Sequence, residues 1–256
     1  FNINSFEKYE NEIGKVDFVF ARNVLAHVPD PMGFIAGMKK FMHNNSLGAF
    51  EFHYNQSIIK ELHYDSIYHE HYFYYSLKNL IYMLNENDLY PFDILESPIN
   101  SGNLVVYFKL NKEAFSKNMT KLLDKEESYS ISNLNRWKNF AKQSIKHKIE
   151  FLDIIKNYNK IIGYGSSARS STFLNFSGVN NNKIKFIVDN NPLKQNKYTS
   201  GTNIKIIDPS IVKWQDEDTI LILAWNFYDE IVDYLKENGF RGNVIKPFPK
   251  LKKIKL

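Results

Sequence analysis

The chain has 256 residues, no cysteine and a formal net charge of +5. That length suits one large or two ordinary domains. The lack of cysteine excludes disulfides and thiolate zinc sites and points to a reducing, cytoplasmic setting, and no apolar run reaches the ~20 residues that cross a bilayer. The basic end, KPFPKLKKIKL, reads as a solvated tail, not a nucleic-acid surface. The residues given read as carrying no signal peptide, so none is expected among them. The sequence opens without Met on FNINSFEKYENEIGKVDFVF, already close to a strand, so an earlier part of the protein is expected to be absent.

VDFVFA (16–21) is a continuous apolar run, as in a buried parallel strand. In DPMGFIAGMKKFMH (30–43), Asp30 is an N-cap and Pro31 suits the first helical position. Phe34, Ile35, Met38, Phe41 and Met42 fall on one face. LGAFEFHY (47–54) is the next strand, completing a strand–helix–strand unit. Ser76 caps a helix with Leu77, Leu80, Ile81 and Leu84 inward. YPFDILES (90–97) and NLVVYFKL (103–110) form an antiparallel pair at a sheet edge.

Residues 111–157 turn polar, with Leu122, Leu123, Leu134, Trp137, Phe140, Ile145, Ile149 and Leu152 at helical spacing: a helical connector. A second α/β module begins at KIIGYGSSARSSTFLNFSG (160–178) and continues with IKFIVDNNP (184–192), TILILAWNFYDEIVDYLKENG (219–239) and a last strand, NVIKP (243–247). The fold class is therefore α/β, with domains at 1–111, 112–157 and 158–256.

GYGSSA (163–168) fits G-x-G-x-x-A between a strand and a helix, and Asp189 ends the next strand. The spacing is that of a dinucleotide turn, in which glycines permit close phosphate approach and an acid takes the ribose. Ser166, Ser167, Ser170 and Ser171 add hydroxyls, and Arg169 adds a cation suited to phosphate. A nicotinamide-dependent dehydrogenase is one reading. A short strand-to-helix turn that simply favours glycine and serine is another. A Gly-rich turn at a helix N-terminus supports an anion site without naming the nucleotide.

LHYDSIYHEHYFYYSL (62–77) concentrates three histidines, a glutamate and five tyrosines. Buried, each would need a polar partner, so an acid/base site, a metal site or an aromatic interface are the candidates. His63 and His69 read as surface residues, and Tyr72, Phe73, Tyr74 and Tyr75 as packing against the helix that Ser76 opens. A metal site from His63, His69, His71 and Glu70 lacks the H-E-x-x-H spacing.

FVFARNVLAHVPDP (18–31) resembles the fourth strand and following turn of class I methyltransferases. Together with GAFEFHY, YDSIYHEHYFYYSL, GYGSSARSSTFLNFSG, IVDNNPLKQNKYTSGTNIKI and LILAWNF, in that order, it resembles the S-adenosylmethionine-dependent C-methyltransferases of nucleotide-linked keto-deoxysugars. The resemblance covers nearly the whole chain. It implies part of a class I methyltransferase (Rossmann-like) core followed by a second Rossmann-like domain that grips the nucleotide sugar. It also implies a zinc-binding N-terminal domain and a glycine-rich donor loop, both outside this chain. No metal site is expected within it.

The same resemblance implies roles for particular residues. His71 becomes the general base, with Tyr68, Glu70 and His27 as its active-site partners. Ala21, Arg22 and Asn23 line the methyl donor. Gly163, Tyr164, Gly165, Ser166, Ser167, Arg169 and Asn226 belong to the nucleotide-sugar site, Arg169 standing where the family has lysine. PINSGN carries Asn100 in place of the family's histidine, and HYN (53–55) departs from a more apolar pattern. Partners are then a nucleotide-linked sugar, with neither nucleic acid nor membrane.

The chemistry suits these residue types. Methylating a carbon beside a ketone requires removal of an acidic C–H, for which a neutral imidazole of pKa ~6.5 is suited. The enolate oxygen needs donors, for which Tyr68 and His27 are candidates, and Glu70 could orient an imidazole. Adjacent Glu70 and His71 cannot share one strand face, so a loop is expected there.

Overall fold

The computed structural model describes residues 3–97 and 102–256. They fall into two compact units. The first holds the chain up to Lys60 together with His69–Arg136; the second holds Glu61–Tyr68 and Trp137–Leu256. No helix among the described residues is long and apolar enough to cross a membrane.

The first unit contains α1 (Ile3–Ile13), β1 (Val16–Arg22), α2 (Pro31–Lys40), β2 (Met42–His53), α3 (Asn55–Lys60), α4 (Leu77–Asn85), β3 (Tyr90–Ser97), β4 (Asn103–Lys109) and α5 (Lys117–Tyr129). Its sheet runs β1-β2-β4-β3. β1 and β2 are parallel, linked through α2; β4 is antiparallel to both β2 and β3. One sheet face builds the core. Val19 and Ala21 of β1, Phe50 and Phe52 of β2, and Leu104, Val106 and Phe108 of β4 meet Phe34, Ile35 and Met38 of α2 and Leu77, Leu80 and Leu84 of α4.

β1 corrects the expectation of a strand buried on both faces. Phe18 is 50% exposed and Phe20 46%, because only the alternate residues Val19 and Ala21 face the helices. Among the described residues β1 pairs with β2 alone, and an apolar cavity of about 360 Å³ runs beside it, lined by residues including Val19, Phe20, Phe34 and Phe41.

The expected caps are present. Asp30 Oδ1 accepts from Gly33 N at 2.9 Å. Ser76 Oγ accepts from Asn79 N at 3.1 Å. A second cap on α4 comes from α5: the buried Glu126 carboxylate accepts from Leu77 N (2.7 Å) and Lys78 N (3.0 Å), and from the Tyr54 hydroxyl (2.7 Å). This carboxylate supplies the orphan N–H groups of a helix start with a charged acceptor. Burial, then the bond to Glu126, pushes the Tyr54 pKa up.

The second unit is built on β5 (Ile161–Tyr164), α7 (Ala168–Ser177), β6 (Ile184–Val188), β7 (Ile206–Ile207), β8 (Thr219–Ile222), α8 (Tyr228–Glu237), β9 (Asn243–Lys246) and β10 (Lys252–Lys255), with most of α6 (Leu134–Ile155). Its sheet order is β10-β9-β8-β5-β6-β7, parallel except for β10. β10 corrects the reading of the basic end as a mere tail: Lys252–Lys255 pairs with β9 as an edge strand whose lysines stay in water.

The inward face of α6 also differs from expectation. Leu134, Ile145 and Ile149 are exposed, whereas Phe140, Ser144, His147, Phe151 and Ile155 are buried. Spacing alone favoured the larger apolar residues. The polar members of the buried stripe instead find partners. Ser144 Oγ donates to Phe140 O (2.9 Å), and His147 lies between the Tyr64 hydroxyl (2.8 Å to Nδ1) and Pro247 O (2.8 Å to Nε2).

A carbonyl only accepts, so Nε2 carries the His147 proton and Nδ1 accepts from Tyr64 O–H. This neutral ring satisfies both partners. Burial is the largest influence and lowers the His147 pKa, against a smaller upward pull from the Pro247 carbonyl. An unfolded histidine takes up a proton below ~6.5, whereas the folded one resists it. The contribution of His147 is therefore complete above ~6.5 and declines as pH falls toward the folded pKa, with a slope of at most ~1.4 kcal/mol per pH unit. Urea unfolding between pH 8 and 5 is expected to show this loss, and His147→Gln is expected to flatten it.

Candidate functional site

In the first unit, the carboxyl ends of β1 and β2 carry a polar cluster. β1 ends at Arg22, and Asn23 then takes a left-handed conformation (φ 52°). Its N–H donates to Glu51 O at 2.7 Å. Arg22 Nε pairs with Glu51 Oε2 at 3.0 Å. Asn103 Nδ2 donates to both Asn23 Oδ1 (3.0 Å) and Glu51 Oε1 (2.9 Å). Ala21 is in the core.

The chain then makes a short 3-10 turn, Leu25–His27, and residues 70–75 lie against it. Tyr72 N donates to Ala26 O (2.8 Å), and the buried Tyr75 hydroxyl to Leu25 O (3.2 Å). His27 Nδ1 donates to Glu70 O at 3.0 Å. The His27 and His71 rings stand edge to face, centroids 4.6 Å apart. Residues 69–74 are irregular, as the adjacency of Glu70 and His71 required.

This geometry separates the roles within YHEH. Glu70 is exposed and reaches His27 through its backbone carbonyl. Since that carbonyl fixes the proton of neutral His27 on Nδ1, Nε2 is left as a lone pair and becomes a donor only when the ring is doubly protonated. Tyr68 belongs to the second unit, whereas Glu70 and His71 belong to the first. His69 is exposed, as expected. Tyr72 and Phe73 are exposed too, against the expectation of packing, and of this run only Tyr75 is fully buried. Asn100 lies outside the described residues.

In the second unit, the turn after β5 explains both its glycines locally. A Cβ at Gly163 would lie 2.7 Å from the Ile187 side chain. Gly165 has φ +93° and would meet Ala224 Cβ at 2.4 Å. Tyr164 is buried, its ring 6.0 Å from that of Trp214, and burial pushes its pKa up to about 12. Ser167 caps α7 in a reciprocal capping box with Ser170. Beside this turn is a cavity of about 450 Å³ whose lining includes Ser166, Ser167, Ser171, Lys194, Lys197 and Tyr198. Asn226 is exposed on the turn after β8, at the same carboxyl edge of the sheet. The two lysines lie ~30 positions beyond the turn, inside IVDNNPLKQNKYTSGTNIKI, a segment that carries the resemblance but whose lysines the sequence reading gave no role.

Asp189 does not stand free for a ribose. Its Oδ2 accepts from Ser166 N (2.7 Å) and Lys194 Nζ (3.1 Å), and its Oδ1 from Asn191 N (2.9 Å). Both oxygens are engaged in holding the turn, which removes support from the nicotinamide reading.

Arg169 is committed to a different task from the expected one. Its Nε and Nη2 form a fork on the Asp65 carboxylate at 3.0 and 2.9 Å, and its guanidinium lies 4.5 Å from the Trp225 ring centre. Trp225 Nε1 donates to the same Asp65 Oδ2 at 2.9 Å. The segment from Glu61 to Tyr68 is thus an integral part of the second unit. His63, expected at the surface, is fully buried there, 4.9 Å from the Trp225 ring and 3.2 Å from Glu61 Oε2. A histidine looks exposable in sequence; a neighbouring carboxylate and an indole face make its burial tolerable. Among the described residues, no three His, Asp or Glu side chains gather where they could hold a metal ion.

Residues 98–249 match the family described as the C-methyltransferase C-terminal domain. Over 252 residues the chain is 27% identical to C-methyltransferase NovU of Streptomyces niveus, an alignment covering 95% of this chain and 60% of that protein. The chain therefore spans about 60% of the length of the curated relative it matches.

Proposed function

The chain belongs to the C-methyltransferase C-terminal domain family, and from that premise we propose that it acts in methyl transfer from S-adenosylmethionine to a carbon beside the keto group of a nucleotide-linked deoxysugar. The observation that carries this reading is the pair of imidazoles, His27 and His71, brought to 4.6 Å at the carboxyl end of a parallel strand. The first unit is then part of a class I methyltransferase core, and the second a Rossmann-like nucleotide-sugar domain.

His71 takes the proton from the carbon beside the carbonyl, and the electron pair of that C–H bond becomes the enolate. His27, its Nδ1 held by the Glu70 carbonyl, presents Nε2 and in its doubly protonated form donates toward developing negative charge. When bound, S-adenosylmethionine would supply an electrophilic sulfonium methyl for the enolate carbon, with S-adenosylhomocysteine as the leaving group. Arg22 and Asn23 would meet the donor's polar end, with the apolar cavity along β1 beside them and Ala21 backing the strand. The mixture of an apolar slot and a polar strand end suits such a molecule.

In the second unit the hydroxyls of Ser166 and Ser167 and the ammonium groups of Lys194 and Lys197 would hold the diphosphate, with Gly163 and Gly165 shaping the turn and Asn226 at its rim. Tyr164 and Arg169 support this site from behind. Lys194→Ala is expected to weaken binding of a nucleoside diphosphate by about ten-fold, read by calorimetry. The reading as a whole is tested by incubating the full-length protein with S-adenosylmethionine and a nucleotide-linked 4-keto-deoxysugar, then looking by mass spectrometry and NMR for a new carbon-bound methyl. Binding of NAD with indifference to S-adenosylmethionine would sink it.

A further inference from the structure

The polar cluster at the end of β1 is built in a way that stability alone does not explain. Asn103 is 2% exposed, and its amide direction is fixed by its neighbours. Both N–H bonds point at acceptors, Asn23 Oδ1 and the Glu51 carboxylate. Turning the amide over would set oxygen against oxygen on both sides. In the only sensible orientation Asn103 Oδ1 is buried with no hydrogen-bond partner among the described residues. A buried polar atom without a protein partner costs stability, so packing alone does not account for an asparagine here.

What Asn103 does is hold Asn23. Two contacts converge on that residue, its N–H on Glu51 O and its side-chain oxygen on Asn103, and the Glu51 carboxylate anchors Asn103 in turn. Asn23 has φ 52°, a backbone setting that a non-glycine residue holds only when its surroundings fix it. The effect is to spend the Asn23 oxygen inward and leave its NH₂ as a donor at the half-buried strand end, next to the Arg22 guanidinium. The register makes this possible: Arg22 lies opposite Glu51, and His53 opposite Asn103, so β1, β2 and β4 deliver the four side chains to one patch.

We infer that Asn103 and Glu51 are positioning residues for methyl-donor binding: they set the conformation and amide direction of Asn23 and are not themselves in contact with the ligand. The inference rests on the proposed function, in which Asn23 meets the donor.

The test uses the full-length protein and two titrations by calorimetry, one with S-adenosylhomocysteine and one with a nucleoside diphosphate. Asn103→Leu removes both donors and the unmet oxygen; Asn103→Ser keeps a single hydroxyl and serves if the first variant does not fold. The expected result is about a ten-fold weaker affinity for S-adenosylhomocysteine, partial recovery in Asn103→Ser, nucleoside diphosphate affinity within two-fold of wild type, and a thermal midpoint displaced by less than about 4 °C. Unchanged S-adenosylhomocysteine affinity overturns the inference. So does a parallel loss of both affinities with a large fall in thermal midpoint, since that is the signature of a purely structural residue. If the wild-type protein does not bind S-adenosylhomocysteine at all, the proposed function falls and takes this inference with it; binding by wild type that the variants share sinks the inference alone.

Discussion

His71→Asn in the full-length protein is expected to lower turnover by roughly 10²–10⁴, the range that a positioned acid or base contributes, while nucleotide-sugar affinity stays within two-fold. Asparagine keeps the approximate size and a hydrogen-bonding end but cannot take up a proton near neutral pH. The ring it replaces stands 4.6 Å from His27, and His27 is held on its far side by the Glu70 carbonyl, so the partner should stay in place. Steady-state turnover with parallel calorimetry distinguishes the roles. Equal loss of rate and of affinity would make His71 a binding residue and remove the base from the mechanism.

Asp65→Ala is expected to be the most destabilising single change in the second unit, by about 3–5 kcal/mol, the usual cost of leaving one member of a buried ion pair alone. Asp65 is 1% exposed and serves three donors: two from Arg169 and one from Trp225. Removing it strands a guanidinium and an indole N–H, and alanine also leaves space beside Trp225. Replacing the pair together, Asp65→Leu with Arg169→Met, should cost far less, because no uncompensated charge remains. Urea unfolding followed through tryptophan emission reads both variants. A loss below 1 kcal/mol for Asp65→Ala would show that the fork contributes little.

Local signals in the sequence were enough for most of the elements. Asp30 with Pro31, and Ser76, stood before helices with periodic apolar faces, and the structure starts α2 and α4 there. Residues 90–97 alternate well enough to name β3 to the residue. What sequence could not supply was which face a run turns inward, because that depends on the layers present on either side. VDFVFA reads as buried throughout, yet Phe18 and Phe20 are exposed. α6 offers two possible stripes, and the one containing Ser144 and His147 is buried because Tyr64 and Pro247, far away in the chain, satisfy the ring.

The candidate site was legible to a similar degree. Glu70 and His71 of the motif at 68–71 lie against the turn that carries His27, and the turn at 163–168 lies beside the cavity of about 450 Å³. The pairing of His27 with His71 across 44 positions is a contact between loops, and no periodicity reports one. Arg169 shows a related limit. A cation at a glycine-rich turn looks like a phosphate ligand until its carboxylate partner is found 104 residues earlier. The lysines facing the cavity, Lys194 and Lys197, sit in a loop whose position only the folded sheet defines.

The excursion of Glu61–Tyr68 into the second unit bears on how this protein can be dissected. A gene fragment starting at Trp137 would encode every strand of the six-stranded sheet and still omit a carboxylate that its helix and its indole both need. Such a truncation should aggregate or demand a substitution at Arg169, whereas grafting the octapeptide back through a flexible tether, or supplying it as a synthetic peptide, should restore solubility.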